Sequence, residues 1–333
     1  MGPKTDLGFE PQWVMVKRAD SAADWLVWDN MRGIVTGGST SDPMLYPNEE
    51  YAESTSIYRM DLTSRGFKIT SSNGAINANG GKYIYMAIRR PDPLVGKPPA
   101  AGVNAFAMDV GNSQSIVPNF NSSFPVAFGF YREFTTTHDW YTGGRLAGAT
   151  YWRTDASNAA SAMTGMDYDT NVGCTSSSGG SALQAWMWKR GPGFDLVTYT
   201  GGGSGDIIPH NLNAVPEMMW VKNRTAAQSW AVYHKGLNGG TNPEQYYQML
   251  NSALGTGSLG TASNRWNDTA PTSTHFSVGG SNNTGNGGDA YIAMLFASAN
   301  DEEGNPISKV GYYTGDDSSD GSKVLTTGFE PRF

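Results

Sequence analysis

Short apolar runs separated by Gly, Asn, Ser and Asp dominate the chain. "WVMVKR" at 13–18 and "WLVWDN" at 25–30 lie close together around the stretch "ADSAAD", which predicts a hairpin. "YIYMAIRR" (83–90), "LQAWMWKR" (183–190) and "YIAMLFAS" (291–298) are apolar at successive positions, not at alternate ones. Such runs predict central strands covered on both faces, and in the first two a charged pair, Arg89-Arg90 and Lys189-Arg190, marks the exit to solvent. "LVTYTG" at 196–201 alternates more clearly and predicts one wet face. The stretches "NANGGK" (77–82) and "GNGGDA" (285–290) offer positive φ before two of the central runs. No segment carries a sustained 3.6-residue period. The best helix candidate is 242–254, with Asn242 as cap and Pro243 at the first helical position.

The runs recur in a fixed order. "EPQWVMVKR" at 10–18 finds a partner in "VPEMMWVKNR" at 215–224 and a weaker one in "FPVAFGFYR" at 124–132. Pro11, Pro125 and Pro216 are followed 14, 15 and 14 residues later by Trp25, Trp140 and Trp230. Each marker leads through a middle segment ("RGFKIT", "GMDYDTNVG", "THFSVGG") to one of the doubly apolar runs. A connector then repeats: "VNAFAMDVGNS" at 103–113, "FDLVTYTGGGS" at 194–204 and "SKVGYYTGDDS" at 308–318. An ordered set of matches at this spacing points to triplication. The expected architecture is all-β: three tandem β-sandwich units at 1–100, 101–192 (shorter and divergent) and 193–306. Residues 307–333 read as a connector and the start of a truncated fourth unit, because "GFEPRF" stops before its apolar run. Either the natural chain continues, or the last short strand docks beside the first unit. Continuation is preferred, since a strand cut before its apolar half buries little.

Composition agrees with short strands. Charged residues are 16 % and aromatics 12 % of the 333 residues, with ten Trp and sixteen Tyr. The net charge of −7 and the lack of a basic block argue against nucleic acid. Cys174 stands alone, so neither an intrachain disulfide nor a cysteine metal cluster can form. No apolar run approaches the roughly 20 residues of a membrane span, and "MGPKTDLGFE" lacks a signal-peptide core. So many aromatics on three small units also predict an apolar patch left over for self-association.

The phrases "WVMVKRADSAADWLVWDNMRG", "LYPNEEYAEST", "GFKITSSNGAINANGGKYIYMAIRR" and "VGYYTGDDSSDGSKVLTTGFEP" resemble a tandem domain of unknown function found in tail and fibre-type proteins of bacteriophages, many of them marine. The resemblance covers the first and third units well and the second poorly. It implies a virion structural protein with a concanavalin-like or jelly-roll sandwich, and it brings no catalytic residues.

The chemistry-bearing residues are sparse. His138, His210, His234 and His275 form no His-x-His or His-x-x-x-His pair for zinc. Asp316, Asp317 and Asp320 in "GDDSSDG" are a weak calcium candidate, since turns alone select Asp and Gly. "GGGSGD" at 201–206 lacks the Lys-Ser/Thr of a phosphate loop. Asp24, Asp29 and Asp139 are the carboxylates a glycosidase reading would use, but they flank structural Trp. Trp25 and Trp28 point to opposite faces of one strand. Trp25 recurs and is the core candidate; Trp28, with Tyr141 and Tyr233, is a candidate outward face for sugar stacking.

Three functions compete. The first is a non-enzymatic virion component, tail-fibre or otherwise surface-exposed, assembled in the host cytoplasm and contacting itself and other virion proteins; a capsid decoration role is a variant of it. The second is a lectin-like module for host-surface glycans. The third is a glycan-cleaving enzyme. No cofactor and no membrane insertion are expected.

Overall fold

Each doubly apolar run is a central strand. In a five-stranded antiparallel sheet, Lys82–Arg89 lies between Pro11–Arg18 and Pro306–Thr314; Trp25–Asp29 and Ala299–Asn300 form the margins. In a six-stranded sheet, Leu183–Trp188 lies between Phe106–Val110 and Phe128–Glu133, and Tyr141–Gly144, Thr150–Arg153 and Ser161–Ala162 continue outward. In a second six-stranded sheet, Ala290–Phe296 lies between Phe194–Thr200 and Met218–Asn223, followed by Ala231–His234, Tyr246–Met249 and Gly257–Ser258. The computed structural model describes residues 3–7, 11–29, 32, 42–55, 60–63, 66–89, 105–111, 118–148, 150–162, 168, 170–175, 182–258, 264–301, 304–315 and 324–325.

Small sheets cover one face of each large one. Lys4–Asp6, Met60–Thr63, Gly66–Ile69 and Val324–Leu325 form the first. Phe120–Asn121 pairs with Gly173–Cys174, and Asp206–Pro209 with His275–Val278. Separate apolar clusters fill these layers. Val14, Val16, Tyr85 and Ala87 meet Phe67 and Ile69 in one; Tyr131, Ala185 and Met187 meet Phe120 and Cys174 in another; Met219, Val221 and Leu295 meet Phe276 and Val278 in the third.

The opposite faces of the three large sheets share a single core. Met15, Trp25, Met86 and Val310 from one sheet, Phe128, Phe130, Trp140 and Trp188 from the next, and Phe194, Trp220, Trp230 and Phe296 from the third belong to one cluster. Rings cross the boundaries: Trp13 meets Trp188 edge-on at 6.0 Å, and Trp188 meets Phe296 at 6.3 Å. Side-chain alternation explains the assignment, since every second residue of a strand faces the same way. Polar clasps add to it. The Trp25 indole donates to the carbonyl of Met249 (3.2 Å), the Trp230 indole to that of Arg153 (2.7 Å), and the Thr154 hydroxyl to that of Pro47 (3.2 Å).

Several expectations need correcting. Segment 242–254 is not a helix: Pro243–Gln245 is a single 3₁₀ turn, Asn242 is left-handed (φ 45°) with no capping bond, and Tyr246–Met249 is a strand. The pull of an adjacent strand edge, Ala231–His234, outweighs the local capping signal. Residues 308–313 are paired as a strand, at Ser308 with Ala299 and along their length with Lys82–Arg89, so the connector links the third stretch of chain to the first large sheet. All ten tryptophans are buried, from Trp13 to Trp266, while Tyr51 and Tyr312 are exposed. Residues 328–333 lie outside the described residues. Among the described residues, helical structure amounts to Gly74–Asn77 and the 3₁₀ turns Arg145–Ala147, Leu237–Gly240 and Pro243–Gln245.

Trp230 tests the shared core. Trp230→Ala empties a fully buried site and breaks the clasp to Arg153, so a loss of about 3–5 kcal/mol is expected in denaturant unfolding. An unchanged midpoint would overturn its structural role.

Candidate functional site

Where the first and second large sheets meet, residues from two stretches of chain converge. Segment 44–55 is anchored by the bridges Val27↔Leu45 and Met44↔Ser54, and a turn at Tyr46–Glu49 is closed by the Glu49 amide on the Tyr46 carbonyl (3.1 Å). It presents Asn48, Glu49, Glu50 and Tyr51. Opposite it, Tyr141 and Arg153 sit face to face in register on neighbouring strands, with Asp139 and Asp155 just beyond their ends. Arg153 holds Asp139 in a short bond and Asp155 at 3.3 Å, and stands 4.0 Å from Glu50. The Tyr141 hydroxyl donates to Asp139 (3.3 Å), and its ring stacks on Tyr131 at 5.4 Å. Asn48 donates to Asp24 (3.0 Å) and to Glu49 (3.2 Å), while its side-chain oxygen accepts from the Trp25 amide (2.8 Å).

The electrostatics follow from crowding. Glu49 is raised above the usual carboxylate range by burial and by the negative charges of Asp24 and Asp155. Asp155 is raised by burial, against the pull of Arg153. Tyr51 is 54 % exposed and meets Tyr46 edge-on at 5.7 Å. An exposed tyrosine beside several carboxylates offers an apolar stacking face and hydrogen-bond acceptors for hydroxyl groups. Arg153 ties up two of the carboxylates, which draws them away from the paired acid–base geometry of sugar cleavage.

The structure brings together Asp24, Asp139 and Tyr141 of the sequence candidates, and leaves the others elsewhere. Trp28 does face away from Trp25, but that face is covered, and Trp28 is completely buried. The expectation that only one of the pair could be core fails because the sheet has two covered faces. Tyr233 is buried against Trp266, 5.9 Å away. Asp29 is buried and paired with Arg32 at 2.6 Å. Asp316, Asp317 and Asp320 lie outside the described residues. Among the described residues, no group of three His, Cys, Asp or Glu side chains is arranged to hold a metal ion.

Sequence reasoning missed three buried cations. Lys17, Arg132 and Lys222 stand opposite Ile84, Gln184 and Ile292 near the ends of the first strands, and all three are fully buried. Arg132 lies 5.4 Å from the Trp140 ring centroid and Lys222 5.8 Å from that of Trp230. The Lys17 ammonium donates to the carbonyls of Arg18 (2.7 Å) and Leu254 (3.3 Å), and Lys222 to those of Ser157 (3.0 Å) and Gln228. Lys17 and Lys222 thereby reach across sheet boundaries. Burial pushes Lys17 down to about 8 and Lys222 to about 7, and lowers Arg132 to about 10. The available signal was a cation in each copy at the end of a strand otherwise apolar. It reads more simply as an exit to solvent.

A family model described as "Domain of unknown function (DUF7483)" matches residues 2–91 and 149–333. The chain belongs to this family. In this DUF7483 chain the match takes in Asp24, Glu49, Tyr51, Arg153 and Asp155, and it leaves out Asp139 and Tyr141. No curated protein and no solved structure matches.

The buried lysines set a pH dependence. Their folded pKa values lie below the unfolded value of 10.5, so the unfolded chain holds more protons between about 7 and 10.5, and stability rises with pH through that window. Buried tyrosines such as Tyr199 and Tyr313 are raised well above 10.0 and reverse the trend beyond it. Unfolding followed from pH 6 to 11 is expected to climb and then turn over. Lys222→Met removes up to about 1.4 kcal/mol per pH unit of the climb. An unchanged slope would mean that Lys222 is not the titrating group.

Proposed function

We propose that this chain is a rigid, non-enzymatic building block of a bacteriophage particle, tail-associated or otherwise surface-exposed, made of three copies of one β-sandwich unit. The copies correspond position by position. Val27, Thr142 and Val232 lie opposite Leu45, Trp152 and Gln248, as Lys17, Arg132 and Lys222 lie opposite Ile84, Gln184 and Ile292. The observation that carries the reading is the shared aromatic core. It packs the copies against one another, and the polar features that recur among them, such as the buried Lys17, Arg132 and Lys222, sit inside the packing, which is how a scaffold reuses a fold. The partners on this reading are other virion proteins and further copies of the chain. Mass spectrometry of purified particles is expected to find its peptides at many copies per particle. Their restriction to the particle-free lysate would overturn the role.

A second reading is favoured by one specific feature, the exposed Tyr51, which follows Glu49 and Glu50 in the chain on the segment that faces Arg153. It makes this boundary a shallow site for a host-surface glycan. On a glycan array the wild-type chain is expected to retain a ligand, and Tyr51→Ala to weaken retention about fivefold. Equal retention by both proteins would remove Tyr51 from the reading.

A further inference from the structure

The strand Lys4–Asp6 lies between two partners. On one side it pairs antiparallel with Gly66–Ile69, with Lys4 opposite Lys68, Thr5 opposite Phe67 and Asp6 opposite Gly66; the Ile69 amide donates to the Pro3 carbonyl at 3.0 Å. On the other side it pairs parallel with Val324–Leu325, with Lys4 opposite Val324 and Thr5 opposite Leu325. The two strands belong to the same phrase, "PKTDLGFEP" at 3–11 and "KVLTTGFEP" at 323–331. Lys4 and Val324 each stand four residues before the glycine of "GFEP". The two copies are therefore side by side with no shift in register.

The other large sheets say which copy has the covalent claim to the inner place. There, a connector strand pairs with the central strand and the chain then enters the small sheet. Phe106–Val110 is followed by Phe120–Asn121 against Gly173–Cys174, and Phe194–Thr200 by Asp206–Pro209 against His275–Val278. In the five-stranded sheet the connector is Pro306–Thr314, and the strand that follows it is Val324–Leu325. By that order Val324–Leu325 belongs against Gly66–Ile69, where Lys4–Asp6 stands.

The inner place reads main chain more than side chains. At Gly66 (φ 150°) an added Cβ would lie 1.9 Å from the Thr5 carbonyl oxygen, and at Gly173 (φ 157°) 1.9 Å from that of Phe120. Both glycines let a strand approach where no side chain would fit. Thr5 and Leu7 are both buried, and the Thr5 hydroxyl has no partner. The second copy carries Leu325 and Thr327 at these two positions, the same pair in reversed order. The exchange would put an apolar side chain where the unpartnered Thr5 hydroxyl stands and a threonine where Leu7 stands, so each copy offers one leucine and one threonine to the two places.

We infer that Gly66–Ile69 is a strand-acceptor site for an extended segment of this phrase, and that residues 323–327 of the same chain are its second ligand, able to replace residues 3–7. The inference rests on the equivalence of the three sheets and is independent of a role in a particle.

Hydrogen exchange at Phe67 and Ile69, whose amides face Lys4–Asp6, tests it in a variant lacking residues 1–7, in Leu325→Pro, and in the two combined. Tryptophan fluorescence reports whether each variant keeps its core. With residues 1–7 removed, exchange is expected to quicken by less than about threefold; in the combined variant it quickens by more than about thirtyfold. Leu325→Pro alone leaves the site protected by Lys4–Asp6. Exchange as fast after removing residues 1–7 as in the combined variant would overturn the inference. Protection that returns only with rising protein concentration would also overturn it, because a second copy would then fill the site. If the shortened chain does not fold, full-length Thr5→Pro with and without Leu325→Pro makes the same comparison. Loss of protection in Thr5→Pro alone overturns the inference equally.

Discussion

A strand that is apolar on both faces has to be covered twice. Lys82–Arg89, Leu183–Trp188 and Ala290–Phe296 impose that condition on each large sheet. A small sheet supplies one cover. The other comes from the remaining large sheets, whose inner faces meet in a common cluster. The arrangement hides all ten tryptophans and makes the three parts interdependent, since removing one would expose the inner faces of the other two.

The edge of this common core is polar. Lys17, Arg132 and Lys222 occupy matching positions at which the sheets meet, and two of them hold carbonyls donated from across a boundary. A buried ammonium without a carboxylate carries a desolvation cost that hydrogen bonds to carbonyls and a nearby indole face only partly offset. In exchange it constrains how one sheet sits against the next. Arg132 departs from the lysines. Its two terminal nitrogens find no hydrogen-bond partner, and at the same boundary the Trp140 indole finds none either. The boundary between the first and second sheets thus holds buried polar groups without partners. It is also the one that gathers Asp24, Glu49, Glu50, Asp139, Arg153 and Asp155 at the surface.

Closure of the five-stranded sheet depends on pairing between distant parts of the chain. Pro306–Thr314 lies against Lys82–Arg89 over seven register pairs, and Tyr313 stacks on Tyr83 at 5.0 Å. Pairing at this sequence separation carries the largest loop-closure entropy of the three large sheets.

The sequence by itself determined the all-β class, one hairpin, the central strands and a set of buried tryptophans. The hairpin of Pro11–Arg18 with Trp25–Asp29, the central placement of the three apolar runs, and the burial of Trp25, Trp140 and Trp230 all follow from period and repeat. Those are properties of neighbouring residues, and alternation along a strand records them. Tertiary structure alone decided what covers each face. Trp28 and Tyr233 alternate as outward residues should, yet a small sheet lies over them. Asn242 and Pro243 spell a helix start, yet a waiting strand edge draws Tyr246–Met249 into a sheet. Of the candidate site, Asp24, Asp139 and Tyr141 were legible as carboxylates and an aromatic beside the recurring tryptophans Trp25 and Trp140. Their meeting with Glu49, Tyr51 and Arg153 was not, because it brings together segments about a hundred residues apart across a boundary between sheets. A local pattern records which way a side chain points; what it meets there depends on packing between distant segments.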